Sequence, residues 1–122
     1  MRAIPVALGV LVALSAAPPA IAWNAEALKP AFSNTIVSTY PDGRQARLWL
    51  NPDGSYRAQG RRGTFSSGRW SLKGEKICLS QKRPVPGPFS YCAPIKSGGV
   101  GTSWTGKAVT GEAIRITLVA GR

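Results

Sequence analysis

The sequence has no histidine, only two cysteines and only five acidic residues among its 122. Histidine is the commonest general base and the commonest transition-metal ligand, so its absence removes the usual routes to acid–base catalysis and to a metal site. The acidic residues stand at predicted turns or near the N-terminus, and no spacing pairs them. We therefore expect no catalytic residue, no metal site and no cofactor, and we predict that the protein is not an enzyme.

Long apolar runs are also scarce, and the most prominent one lies at the N-terminus. Arg2 precedes an apolar run over residues 4–14, and Ala20-Ile21-Ala22 fits the A-x-A cleavage pattern. This arrangement predicts a secretory signal peptide over residues 1–22, too short to span a bilayer as a helix. We expect no transmembrane segment after processing, and a periplasmic or secreted protein that begins at Trp23.

Basic residues outnumber acidic ones by 16 to 5 in the full chain. Cleavage after residue 22 removes Arg2 and leaves 15 basic against 5 acidic residues, a net charge of +10. Such an excess favours an anionic partner: an anionic polymer, an anionic membrane surface or an acidic protein. The simpler alternative is that the charge only keeps a basic protein in solution. The chain carries no specific nucleic-acid-binding motif.

From residue 34 onward, short alternating segments are separated by turn residues. Pro41-Asp42-Gly43 and Pro52-Asp53-Gly54 are turn sequences, because proline presets φ and glycine accepts a left-handed conformation. The alternation predicts eight strands, at residues 35–40, 45–50, 55–59, 64–72, 76–80, 89–95, 104–109 and 113–119.

Eight short strands joined by short turns predict an all-β fold, an antiparallel eight-stranded meander in a small closed or partly open barrel. Closure removes exposed sheet edges, whereas a two-sheet sandwich is the alternative. The domain would span residues 34–122. Residues 23–33 are predicted to form a short helix, capped by Asn24 and ended by Pro30, or else a mobile N-terminal arm.

The two cysteines test this arrangement. In an oxidising compartment an even pair usually forms a disulfide. If Cys78 lies opposite Cys92 in an antiparallel hairpin, both fall on the outward face that alternation assigns independently, near disulfide reach. We therefore predict a Cys78–Cys92 disulfide.

Period-two alternation also assigns a core. Arg47, Arg57, Arg69 and Arg115 are predicted to be exposed. We expect four inward aromatic residues, Trp70, Phe89, Tyr91 and Trp104, to fill the barrel, and the alternative is that they line a pocket for an apolar ligand. The residues predicted to be largely buried are Leu48, Leu50, Trp70, Ile77, Tyr91, Trp104, Ile114 and Ile116.

The outward side of strands two to four concentrates arginine around one tryptophan. Arginine beside an exposed tryptophan suits phosphates, carboxylates or stacked rings. The alternative is a solvated face on which the tryptophan packs under an arginine stem. The candidate anion-binding residues are Arg47, Trp49, Arg57, Arg61, Arg62 and Arg69.

Short motifs along the mature chain resemble small uncharacterised secreted bacterial proteins with a lipocalin-like β-barrel. They are Tyr40-Pro41-Asp42-Gly43, Asp53-Gly54-Ser55-Tyr56, Gly68-Arg69-Trp70, Ile77-Cys78-Leu79 and Tyr91-Cys92. This resemblance implies a fold and a compartment but no activity. The segment Trp70–Gly74 with Cys78-Leu79 is also similar to bacterial metalloprotease-inhibitor barrels, which pair a cysteine upstream of the tryptophan with the later one and whose N-terminal arm enters the protease.

Three functions follow as hypotheses. The first is a non-enzymatic binding module for an anionic surface or ligand, through the arginine-rich face. The second is a protein inhibitor of a secreted hydrolase, and the third is a carrier of a small apolar molecule.

Overall fold

Eight antiparallel strands form one sheet in the computed structural model, which describes residues 25–88 and 90–122. The predicted signal peptide and Phe89 lie outside these described residues. The strand order β6-β5-β4-β3-β2-β1-β8-β7 confirms the eight-stranded antiparallel fold as one sheet, not a two-sheet sandwich. The strands are β1 (Thr35–Thr39), β2 (Gln45–Leu50), β3 (Ser55–Gln59), β4 (Phe65–Lys73), β5 (Lys76–Arg83), β6 (Tyr91–Pro94), β7 (Ser103–Lys107) and β8 (Ala113–Val119).

The sheet curls until its two edge strands, β6 and β7, meet. The Tyr91 hydroxyl donates a hydrogen bond to the carbonyl of Lys107, and the indole Nε1 of Trp104 donates to the carbonyl of Pro94 over 3.0 Å. Pro94 has no backbone N–H and cannot complete a ladder, so side chains bridge this seam. The result is a nearly closed barrel.

The barrel has two different ends. At the open end lie the β1–β2, β3–β4 and β7–β8 turns and the proline-rich β5–β6 loop. At the closed end, a 3-10 helix (Ala25–Leu28) runs into a single α-helical turn, α1 (Lys29–Phe32). Leu28 and Ala31 are 2 % and 6 % exposed, and the Phe32 ring lies 5.9 Å from that of Trp70.

This helical segment corrects one prediction. Pro30 was expected to end the helix, but it occupies the first turn of α1, which continues to Phe32. A proline is tolerated there because the first helical N–H groups have no intrahelical acceptor.

The predicted inward and outward faces are confirmed. Trp104 is 9 % exposed, Leu48, Trp70 and Tyr91 are partly buried, and the four outward arginines are exposed. The residues of the core cluster that are buried are Leu28, Ala31, Ile36, Leu50, Tyr56, Ile77, Ile95, Trp104, Ala108, Ile114, Ile116 and Leu118.

The hairpin that joins β5 and β6 confirms the disulfide. Cys78 lies directly opposite Cys92, their Cα atoms are 4.0 Å apart, and their sulfur atoms are bonded. Both cysteines lie on the outward face, although Cys78 is only 3 % exposed.

Two glycines have distinct backbone roles. Gly54 takes a φ of +92° in the Pro-Asp-Gly turn, and the Asp53 carboxylate there accepts a hydrogen bond from the Ser55 N–H at 2.9 Å. Gly68 instead allows a close approach of β4 to β5. A Cβ on Gly68 would collide with the carbonyl oxygen of Ser80 and lie 2.9 Å from its carbon.

Candidate functional site

A cavity of about 460 Å³ opens into the barrel at its open end. Leu48, Leu79 and Ile114 form its inner apolar wall, and Val85 and Val109 stand at its mouth, where they are 62 % and 69 % exposed. Small-molecule sites in proteins have volumes of about 300–1,000 Å³ and mostly apolar walls. The cavity therefore has the size and lining of a site for one small molecule.

Small side chains create this space. The inward positions nearest the open end are Ser38 on β1, Ala46 on β2, Ala58 on β3 and Ser66 on β4, and all four line the cavity. Of the aromatic residues expected to fill the barrel, Trp70 and Trp104 occupy the closed half, and Phe89 lies outside the described residues. Tyr91 reaches only the cavity wall.

Tyr56 places a polar group inside this apolar wall. Its side chain lines the cavity, the residue is 5 % exposed, and burial raises the pKa of its hydroxyl. Among the described residues, none forms a hydrogen bond with that hydroxyl. A buried hydroxyl without a partner carries a free-energy cost that a hydrogen-bonding ligand or water molecule removes.

Arg61 stabilises the rim of the cavity. Its guanidinium donates to both carboxylate oxygens of Glu112, at 2.9 and 3.3 Å, lies 3.7 Å from an Asp42 oxygen, and stacks 4.2 Å from the centre of the Tyr40 ring. Hydrogen bonds from Thr110 and then from Arg61 lower the pKa of Glu112. These contacts connect three turns of the open end.

The candidate anion-binding residues do not all come together. Arg61 pairs with carboxylates at the rim, and Arg62 is exposed in the β3–β4 turn and forms no hydrogen bond or ion pair with another described residue. Arg69 lies on the outer face but folds back to the β2–β3 turn, where its Nη2 donates to the carbonyl of Asp53 at 3.0 Å. Arg47 and Arg57 remain exposed on the outer face, as diagonal neighbours across β2 and β3.

Trp49 lies at the centre of that face but is partly buried. Its Nε1 donates to the Thr35 hydroxyl at 2.9 Å, so the ring lies against β1, and the Arg57 guanidinium lies 5.8 Å from its centre. This geometry matches the alternative in which the tryptophan packs under an arginine. Trp49 is thus part of the wall and is not an exposed platform for a stacked ring.

Arg83 joins the outer face in a way that alternation did not predict. The strand β5 was expected to end at Ser80 but continues to Arg83. A bulge between the pairs Gly68–Gln81 and Ser67–Arg83 places Arg83 opposite Ser67, the residue that faces Arg57 on its other side. Alternation continued from Ser80 would place Lys82, and not Arg83, on the outer face. Alternation alone does not locate a bulge, so nothing in the sequence directly indicated this position.

No three potential metal-ligating side chains come together in residues 25–88 and 90–122. In the same ranges, no helix combines the length and the apolarity needed to cross a bilayer.

The fold and the cavity define a class: a small antiparallel β-barrel with one plugged end and a mostly apolar cavity at the other. Comparisons with protein-family models, curated proteins and solved structures found no match.

Proposed function

We propose that this protein is a non-enzymatic binding module that holds one small, largely apolar molecule in the open end of its barrel. The observation that carries this proposal is the cavity of about 460 Å³ with Tyr56 in its wall. An apolar wall with one buried hydroxyl suits a ligand with a hydrophobic body and a single hydrogen-bonding group. The predicted signal peptide and the disulfide support a periplasmic or secreted carrier.

Two features of the barrel favour this function over inhibition of a hydrolase. Residues 25–32 pack against the closed end through Leu28 and Ala31, so they do not form a free arm. The cysteine pairing, with the partner of Cys78 downstream of Trp70, also differs from that of the inhibitor barrels.

Binding of the neutral fluorescent probe N-phenyl-1-naphthylamine tests the proposal. We expect saturable binding with one site per chain and strong fluorescence enhancement. Ala58→Phe should weaken binding at least about tenfold, because it fills the cavity between Leu48 and Ser66, and each 1.4 kcal/mol is a factor of ten. Thr105→Phe, which adds the same ring on the exposed outer face of β7, is the matched control and should bind normally.

Tyr56→Phe tests the polar group separately. Removing the hydroxyl should lower the preference for 1-naphthol over naphthalene by about two- to tenfold, the worth of one hydrogen bond of about 0.5–1.5 kcal/mol. The free energy of unfolding should be unchanged or slightly raised, because the variant no longer buries a hydroxyl without a partner.

Equal affinity of the wild type and of Ala58→Phe for N-phenyl-1-naphthylamine would refute the cavity as the binding site.

A further inference from the structure

The row of side chains that crosses the outer face on four neighbouring strands is Trp49, Arg57, Ser67 and Arg83. Arg57 and Arg83 are both direct neighbours of Ser67, one on each side. Two strand spacings of about 4.8 Å separate the backbones of the arginines, a distance that two arginine side chains bridge easily. A surface depression of about 300 Å³ lies between them, lined also by Phe65 and Pro84.

From this arrangement we propose a second site, in which Arg57 and Arg83 together bind one tetrahedral oxyanion, a phosphate or sulfate group, over the Ser67 hydroxyl. This site lies outside the barrel and is independent of the proposed apolar cavity. Its ligand is a phosphate or sulfate ester, either soluble or displayed as a lipid headgroup.

The charge around the depression supports an anion. All five acidic residues of the sequence are among the described residues, and none has a carboxylate within 4.0 Å of Arg57 or Arg83. The arginines that do meet carboxylates, Arg44 and Arg61, lie at the turns of the open end. Two guanidinium groups without a counter-charge create a local positive field that favours an oxyanion.

Aromatic stacking orients one of the two guanidinium groups. The Arg57 Cζ lies 4.3 Å from the centre of the Phe65 ring, which is 46 % exposed although it is a large apolar side chain. Stacking occupies the face of a guanidinium and leaves its N–H edge available for paired hydrogen bonds to an oxyanion. Phe65 is therefore a positioning residue, and its exposed ring orients the Arg57 guanidinium. The Ser67 hydroxyl bonds to no other described residue and adds a donor at the centre.

Titration of the purified protein with inorganic phosphate at low ionic strength tests the site by NMR. We expect saturable shifts of the amide signals of residues 57, 67 and 83. Arg57→Gln and Arg83→Gln should each weaken binding roughly tenfold, a change of about 1.4 kcal/mol, because each removes charge-assisted hydrogen bonds to the oxyanion. Phe65→Leu should weaken it less without loss of the fold, and Phe65→Tyr, which keeps the ring that stacks on Arg57, should bind phosphate as the wild type does.

Two controls separate a site from net charge. Lys76→Gln removes a positive charge from the other end of β5, and Arg115→Gln removes one from β8, and both should change phosphate affinity by less than about twofold. Glycerol 3-phosphate and phosphatidylglycerol vesicles then distinguish a soluble ligand from a lipid headgroup. Binding of either one supports the site if the affinity depends on Arg57 and Arg83. Equal losses in all four variants, or no saturable shift at low salt, would overturn the proposal.

Discussion

Replacing Leu28 by alanine tests whether the N-terminal helical segment is part of the barrel. Leu28 is 2 % exposed and belongs to the core cluster that also contains Leu50. Leucine-to-alanine changes at buried sites cost about 2–5 kcal/mol. Because the segment is short and can settle into the space, we expect the lower part of that range, about 2–3 kcal/mol.

This loss is large for a domain of this size. It corresponds to a fall in Tm of about 10–20 °C, since 1 kcal/mol shifts Tm by about 4–8 °C in domains of 60–100 residues. Urea unfolding followed by tryptophan fluorescence measures it, and Trp70, which contacts Phe32, reports on the segment directly. Lys29→Ala is the control, because its surface pair with Glu26 is exposed and worth less than about 1 kcal/mol. A loss for Leu28→Ala no larger than that of the control would show that the segment is not docked.

Three further predictions concern stability. Replacing Cys78 and Cys92 by serine should cost about 2–4 kcal/mol with the fold retained, because the bridge closes a loop with a sequence separation of 14; a urea midpoint equal to that of the oxidised protein would contradict this. Gly68→Ala should cost at least about 2 kcal/mol by forcing β4 and β5 apart, whereas Gly99→Ala, where an added Cβ meets nothing within 4 Å, should be close to neutral in the same assay. The pKa of Glu112 lies below its ordinary value of 4.5, so its stabilising contribution is present above that pH and is lost as the pH falls through the lowered pKa. Thermal unfolding from neutral pH to about pH 3 should therefore show a smaller fall in Tm for Glu112→Gln than for the wild type, and equal falls would refute the role of this group.

Local patterns predicted much of the sheet, because strand alternation and turn chemistry are short-range properties. The bounds of β2, β3 and β8 agree with the predicted ranges. The pairing of Cys78 with Cys92 followed from the same alternation, since a one-residue slip would have put the cysteines on the core face. Pro30 was misjudged because the rule that proline ends a helix does not apply to a first turn.

The candidate sites were less accessible to sequence reasoning, because both depend on how distant strands meet. The cavity results from Ser38, Ala46, Ala58 and Ser66, whose small size on the inward face is visible in the sequence once the register is known. The position of Arg83 depends on a bulge, which alternation cannot locate. The pairing of Arg61 with Glu112 joins residues 51 positions apart, and no local pattern connects them.

Intermolecular nuclear Overhauser effects between bound N-phenyl-1-naphthylamine and the protein test the central claim most directly. The account predicts contacts from the probe to the side chains of Leu48, Ala58 and Ile114, which line the inside of the open end. Contacts confined to Phe65 and Trp49 on the outer face would contradict it, because the probe would then be bound to exposed aromatic surface and the barrel cavity would not be a binding site.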